Sequence, residues 1–377
     1  MSRTSLIPVR TTEAGTEIYQ LNMGPQHPST HGVLRVILEL DGEVVIKVTP
    51  VLGYLHRGLE KLAEARSYPQ FLPYTDRLDY VAAMCNNLAY CQTVEKLAAI
   101  EVPERAEYIR VIVAELNRIA SHMLFVGATI LDFGGITGMM YAFRDRERIM
   151  DMFNLVSGAR LTYSYVRIGG VMSDINSEFV SLARQFLKDL PGMLAEYNNL
   201  INGNEIFQHR LMGTSIVASE KLISLGVTGP ILRAAGVDYD LRKQKSYGIY
   251  DRFSFNVPTG KTGDNWDRYM MRFLEISESA KIIAQALDGL PEGPFIGKGP
   301  KVVKPPVGEV YHSCENPRGE LGFHLISDGT TKPYRLHIRR PSFYNVGATD
   351  TLCRGMKIAD VVAVLAMLDP VMGEVDA

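Results

Sequence analysis

Three features of the 377 residues predict an α+β chain with a β-hairpin region near the N-terminus, a central helical bundle and a C-terminal antiparallel meander. Apolar and β-branched runs at 33–40 and 44–48 flank Asp41-Gly42, a dipeptide that accepts positive φ in a tight turn. Between 103 and 290, four long stretches repeat their apolar residues at helical spacing. From 294 to 306 the composition shifts to glycine, proline and lysine, and short strand-like runs follow.

The elements follow in order. "GPQHPSTHG", 24–32, cannot be helical, because Pro25 and Pro28 lack amide protons and push their predecessors toward extended geometry. It is a loop carrying His27 and His31, anchored to the hairpin that follows, and such anchoring suits positioned imidazoles as well as an idle surface turn. The clearest helix is 103–132. Pro103 stands at its first position, and Ile109, Ile112, Val113, Leu116, Ile119, Met123 and Leu124 recur along one side. Further helices are expected at 142–160, at 177–201 with a break near Pro191, and at 267–290. Three strands are expected at 308–314, 319–329 and 332–343, with turns at Asn316-Pro317 and Asp328-Gly329. A short helix at 358–368 precedes "DPVMGEVDA". The chain reads as one domain of 1–377: an N-terminal extension at 1–20, a β-rich region at 21–60, a helical bundle at 61–293, and a meander with terminal helix at 294–377.

With 40 basic and 42 acidic residues the net charge is -2, so no long-range field favours nucleic acid. No signal peptide and no run of about 18 apolar residues is found, which predicts a chain that stays in the cytoplasm and does not span a membrane. Cys85, Cys91, Cys314 and Cys353 form no C-x-x-C pair, and His27 and His31 have no third ligand nearby in sequence, so buried thiols and no metal site are expected. "TGKTG" at 259–263 ends like a phosphate loop, but Phe255 stands where the leading glycine is required. "FGGITG" lacks the dinucleotide spacing and follows no strand, so no NAD or flavin fingerprint is present. Titratable candidates remain beside apolar stretches: His31, Tyr80 in "DRLDY" and Asp132 in "GATILDFGG". Each also has an ordinary structural use, as an idle loop residue, as half-buried packing or as a helix-end cap.

The stretch "LNMGPQHPSTHGVLRVILELDGE" resembles the N-terminal signature of the 49 kDa-type subunit family, the D subunits of respiratory complex I, NADH:quinone oxidoreductase. "GYLHRGLEK", "YTDRLDYVAAMCNNLAYCQTVEKL", "IRVIVAELNRIASHMLFVGATILDFGG", "YAFRDRERIMDMF", "RIGGV", "GVTGPILRAAGVDYDLRK", "ISDGTTKPYRLHIRRPSF" and "LDPVMGEVD" continue the likeness in family order from about residue 20 onward. The resemblance implies a fold similar to the large subunit of nickel-iron hydrogenases. Its two metal-binding C-x-x-C pairs are missing, since "MCNNLAYC" holds none and Val371, Met372 and Gly373 follow "LDP". It further implies that the loop at 24–32 ends a quinone tunnel, with the headgroup ligands on His31 and Tyr80, the histidine's carboxylate partner on Asp132, and His27 as a lesser candidate. Quinone, menaquinone or ubiquinone, is then the substrate, reduced by an iron-sulfur cluster on the neighbouring B subunit of the complex. This chain itself binds no metal or flavin. The implied partners are the B, C, H and I subunits, and the implied location is peripheral, on the cytoplasmic side of the bacterial inner membrane, not as a free homo-oligomer.

Three departures from the family pattern stand out. Met139 and Met140 replace two phenylalanines, a softer wall that suits a quinone such as menaquinone. Only "PPV" separates Lys304 from Gly308, where many relatives carry a longer segment. The cysteines of "CNNLAYCQT" fall where the family varies. Two other roles fit the same resemblance: a silent scaffold, or the same subunit in a complex fed by reduced F420 or ferredoxin.

Overall fold

A computed structural model describes residues 7–11, 17–25, 32–300 and 302–377. The chain is α+β. Its N-terminal sheet has four antiparallel strands in sequential order: β1 (Ile7–Thr11), β2 (Glu17–Met23), β3 (Arg35–Asp41) and β4 (Val44–Val51). The expected hairpin is the β3–β4 pair, turning at Gly42 with φ +58°. Two strands lie further upstream, so 7–11 and 17–20 of the stretch expected as an extension pair into the sheet. Along β3, Val36, Leu38 and Leu40 alternate inward, as a pleated strand with one covered face must.

Helices follow: α1 (Leu59–Ala65), α2 (Tyr68–Thr75), α3 (Ala83–Ala98), α4 (Glu104–Asp132), α5 (Ile136–Ser157), and, after a two-residue strand pair β5 (Val166–Arg167) and β6 (Gly170–Val171), α6 (Ser177–Tyr197). Short helices come next, namely α7 (Glu205–Leu211), α8 (Ser219–Ser224), α9 (Pro230–Ala234) and α10 (Leu241–Gln244), and then the long α11 (Asn265–Asp288). The meander is β7 (Gly308–Asn316), β8 (Gly319–Ser327) and β9 (Arg335–Arg339), all antiparallel. It leads to α12 (Pro341–Gly347), α13 (Thr349–Cys353), α14 (Ile358–Leu368) and α15 (Met372–Val375).

Helix α4 is the axis of the bundle, buried on nearly every side between α3, α5 and α11. Its length and composition would let it cross a bilayer, but 89% of that apolar window is buried inside the chain. Helix α6 runs through Pro191 without the expected break. Phe179, Ala183, Phe186, Leu190, Met193 and Tyr197 bury one continuous stripe, and that burial outweighs the one helical hydrogen bond the proline removes. Helix α5 starts at Ile136, six residues before the expected start at 142, so the tail of "FGGITG" is helical. In the meander β7 reaches Asn316, which pairs with Gly319, so the turn is made by residues 317 and 318 rather than at Asn316-Pro317.

That turn is held by a backbone approach only glycine permits. Gly229 has φ +71°, and a Cβ there would lie 2.5 Å from Gly319 Cα and 2.6 Å from the Arg318 carbonyl oxygen. Gly229→Ala is therefore expected to cost at least about 2 kcal/mol, through clash and left-handed strain together. Thermal melting of the assembled protein checks this; an unchanged melting temperature would contradict it.

Candidate functional site

Tyr80 stands in the connection between α2 and α3, and buried polar groups fix that connection on all sides. Asn86 on α3 donates to the carbonyls of Thr75 and Asp79 at 3.0 and 2.8 Å, and its own oxygen accepts from Asn316 at 2.8 Å. Asp79 Oδ1 accepts from Val81 N at 3.1 Å, closing a local turn that leaves the Tyr80 ring 39% exposed. Crowding of its ring and the adjacent Asp79 carboxylate raise the phenol above its usual range. It stays protonated at neutral pH and can donate.

Behind Tyr80 lies Arg318, from the β7–β8 turn. Its guanidinium donates to Asp79 Oδ2 (2.8 Å), Ser121 Oγ (2.8 Å), the Asp369 carbonyl (3.0 Å) and Asp369 Oδ1 (3.0 Å). One fully buried cation thus joins the loop at 79, α4, and the segment after α14. Arg272 Nε lies 3.6 Å from Asp369 Oδ2. Burial draws the Arg272 guanidinium down to about 10. The C-terminal segment then passes directly under Tyr80, where a Cβ on Gly373 would lie 3.0 Å from Tyr80 Cδ1 and 2.8 Å from the Leu78 carbonyl oxygen. Arg57 donates to the Gly373 carbonyl and, at 3.0 Å, to that of Arg77.

A second buried network extends from this cluster along α11. His122 Nε2 lies 2.9 Å from Glu275 Oε2, and Arg233 donates to Glu275 at 2.5 Å and to Glu315 at 2.7 Å. Arg242 pairs with Asp240 at 2.6 Å and with Glu115 at 3.0 Å, and Glu115 also accepts from Tyr250 at 2.7 Å. Burial holds His122 below its usual pKa, while Arg233 keeps Glu275 ionised despite its burial. These pairs fix how α4, α11 and the meander meet.

Asp132 ends α4, about 16 Å along the axis beyond Ser121 at 1.5 Å per residue. Burial raises its carboxyl to about 7. Met139 is half-buried on α5, and Met140, 60% exposed, shares an exposed apolar stripe with Ile136 and Phe143. His27 and His31 lie outside the described residues, so only Tyr80 and Asp132 of the expected site are placed, Tyr80 in the α2–α3 connection and Asp132 at the C-terminal end of α4. The four cysteines are free and buried, as expected. Among the described residues no group of three or more His, Cys, Asp or Glu side chains could hold a metal. The thiolate set of a nickel-iron centre is not present, so the residues do not fit that group.

The sequence carries no signal that brings Arg318 and Asp369 behind Tyr80. "LDPVMGEVD" is a visible motif and Asp79 adjoins Tyr80, but Asp79 and Arg318 are 239 residues apart, and only folding joins them.

The chain matches a family model described as the 49 Kd subunit of respiratory-chain NADH dehydrogenase, over residues 132–306 and 300–377. It is 57% identical to the D subunit of the NADH-quinone oxidoreductase of Desulforamulus reducens, across 96% of this chain and 99% of that one. The corresponding subunit of Clostridium beijerinckii is 55% identical across 97% and 98%, and that of Carboxydothermus hydrogenoformans 53% across 96% and 99%.

Proposed function

Because this chain belongs to the family of the 49 kDa subunit of respiratory-chain NADH dehydrogenase, we propose that it forms the quinone headgroup site of an NADH:quinone oxidoreductase. The observation that carries the reading is Tyr80, a protonated and half-exposed phenol on a connection that buried polar groups hold still. The B subunit of the complex supplies the electrons from its terminal iron-sulfur cluster and completes the site. The C, H and I subunits are the other neighbours, and the assembly sits on the cytoplasmic side of the bacterial inner membrane. The fold is that of the nickel-iron hydrogenase large subunit, with the metal site lost and its cavity given to quinone.

The chemistry suits the residue types. Two electrons make both quinone oxygens basic, and each must gain a proton. Tyr80 and His31 donate hydrogen bonds to those oxygens and then the protons themselves. Asp132, ionised, orients the His31 imidazole and favours its charged form. When that proton leaves, the charge beside Asp132 changes by one unit in a poorly solvated setting, which starts the signal to the membrane pumps. His27 shares the loop and has a lesser part. Met139 and Met140 give a pliable wall, and menaquinone is the quinone that suits it.

Asp132 is neutral below about pH 7 and ionises above it, so quinone reduction is expected to gain an acid-side limb that rises toward that value. Asp132→Asn is expected to remove this limb and to lower the rate by about tenfold. A pH profile that keeps the limb in the variant would contradict the role. The test of the function as a whole is complementation. Membranes of a strain lacking this chain should lose NADH-driven quinone reduction and regain it when the chain is restored. Restoration that needs reduced F420 or ferredoxin as donor would assign the chain to a related complex. Intact quinone reduction without the chain would overturn the reading.

A further inference from the structure

We propose that Glu374 holds the proton that restores Tyr80 after each quinone reduction, which makes the C-terminal segment a proton reservoir for the site. The inference rests on the quinone reading above and adds a residue which that reading does not use.

Three carboxylates, Asp79, Asp369 and Glu374, surround Arg318, and Arg272 is the second cation, 3.6 Å from Asp369, while its other anionic neighbour, Glu275, is paired with Arg233. With every group ionised, the buried set would carry one excess negative charge. Such a charge is expensive without water, and the usual outcome is that one acid keeps its proton. Glu374 is the member placed to keep it. It is fully buried, its Oε2 accepts from Ser342 N at 3.0 Å, and among the described residues its Oε1 has no hydrogen-bond partner. No described arginine is bonded to it, whereas Asp79 and Asp369 each receive one. Burial and the Asp79 charge lift its carboxyl to about 7, with Arg318 opposing.

The other charges around it are accounted for. Arg57 donates to the Gly373 carbonyl, and Arg340 donates to the carbonyls of Val375 and Ala377. Asp376 accepts from Gly53 N and Leu55 N at 2.8 and 2.9 Å, with His56 Nδ1 3.1 Å from its carbonyl. These groups tie the segment to the strand-end loop at 52–57 and to α12, and none of them bonds the Glu374 carboxyl. The next residue upstream, Gly373, packs on the Tyr80 ring.

The Tyr80 O–H bond breaks as an O–H bond forms on the quinone, whose two electrons come from the donor of the complex. The resulting phenolate takes the Glu374 proton through intervening water, since no direct contact joins the two groups. The transfer is downhill, because Glu374 titrates near 7 and the Tyr80 phenol is raised above its usual value of 10. Glu374 then recovers a proton from solvent. No electron passes through Glu374, which acts only through Tyr80.

The test compares quinone reduction by wild type, Glu374→Gln, Glu374→Asp and Tyr80→Phe, in membranes over pH 6 to 9, with NADH oxidation by an artificial acceptor as the measure of assembly. With the Asp132 limb on the acid side, the wild-type profile should be a bell that loses rate above about 7 as Glu374 ionises. Glu374→Gln, of the same shape, should lose that alkaline limb and fall about tenfold or more, with acceptor activity intact. Glu374→Asp should recover a limb at a shifted pH. A wild-type rate and pH profile in Glu374→Gln would overturn the inference, and loss of quinone reduction by Tyr80→Phe in the same series would show the site itself still stands. Should the Glu374 variants fail to assemble, the redox-difference infrared spectrum of the wild-type complex decides. A protonated-carboxyl band that responds to quinone reduction and titrates near pH 7 supports the reservoir, and its absence overturns it.

Discussion

Tyr80→Phe is expected to lower quinone reduction about a hundredfold or more, while NADH oxidation by an artificial acceptor continues at the wild-type rate. The substitution removes one oxygen and leaves the ring, so packing on Gly373 survives. Tyr80 is 39% exposed and Arg318 bonds Asp79 rather than the phenol, so the buried ion pairs are untouched and the cost to stability is expected to stay within about 0.5 kcal/mol. What is lost is a proton donor held against the headgroup, a contribution of roughly a hundred- to ten-thousandfold in enzymes that use one. Assay of the two activities in the same membranes separates this from poor assembly, which lowers both. Quinone reduction that persists at the wild-type rate would remove Tyr80 from the chemistry.

Arg318→Met should act on the fold instead. The guanidinium makes four bonds of 2.8 to 3.0 Å to Asp79, Ser121 and Asp369, with essentially no exposure. Methionine approximates its length but leaves Asp79 and Asp369 without that cation, and removing one partner of a buried ion pair costs about 3–5 kcal/mol. That is a large share of the stability of an ordinary domain. The expected result is loss of the chain from membranes and of both activities together, read by immunoblot and by the two assays. Arg318→Lys keeps the charge without the fork of donors and should fall between the two. Wild-type abundance of Arg318→Met would mean that the cluster contributes little to holding the C-terminal segment.

Much of the scaffold was legible because it rests on periodic burial. The β3–β4 hairpin, the helices α4, α11 and α14, and the meander all declare themselves by spacing, by a turn dipeptide or by a composition change. Pro191 shows where a local rule yields to tertiary packing, since a six-residue apolar stripe keeps α6 helical around it. Strands β1 and β2 give no clear sequence signal because "IPVRT" and "EIYQLNM" are short and mix polar with apolar residues, so only their pairing, β1 on β2 and β2 on β3, identifies them. Helices α2 and α3 are likewise hard to read. Helix α3 is buried on most sides, with Asn86, Asn87, Thr93 and Glu95 inside, and a polar interior blurs the periodic signal.

The site was less legible than the scaffold. Residue chemistry alone marked His31, Tyr80 and Asp132 as suspicious, and only the family resemblance gave them roles. The ion cluster behind Tyr80 could not be read at all. It joins positions 79, 121, 318 and 369, drawn from a loop, a helix, a hairpin turn and the C-terminal segment, and no spacing rule connects them. Glu374 reads in sequence as one more acid near a chain end; its importance comes from complete burial beside Asp79 and Arg318.

The most direct test of the central claim is a cryo-electron microscopy structure of the intact complex with quinone bound. The account predicts the headgroup against Tyr80, with one quinone oxygen within about 3 Å of the phenol oxygen and the other facing the loop that carries His31. A headgroup seated away from Tyr80, for example in the cavity bounded by Gln92, Lys96, Glu107 and His312, would contradict it.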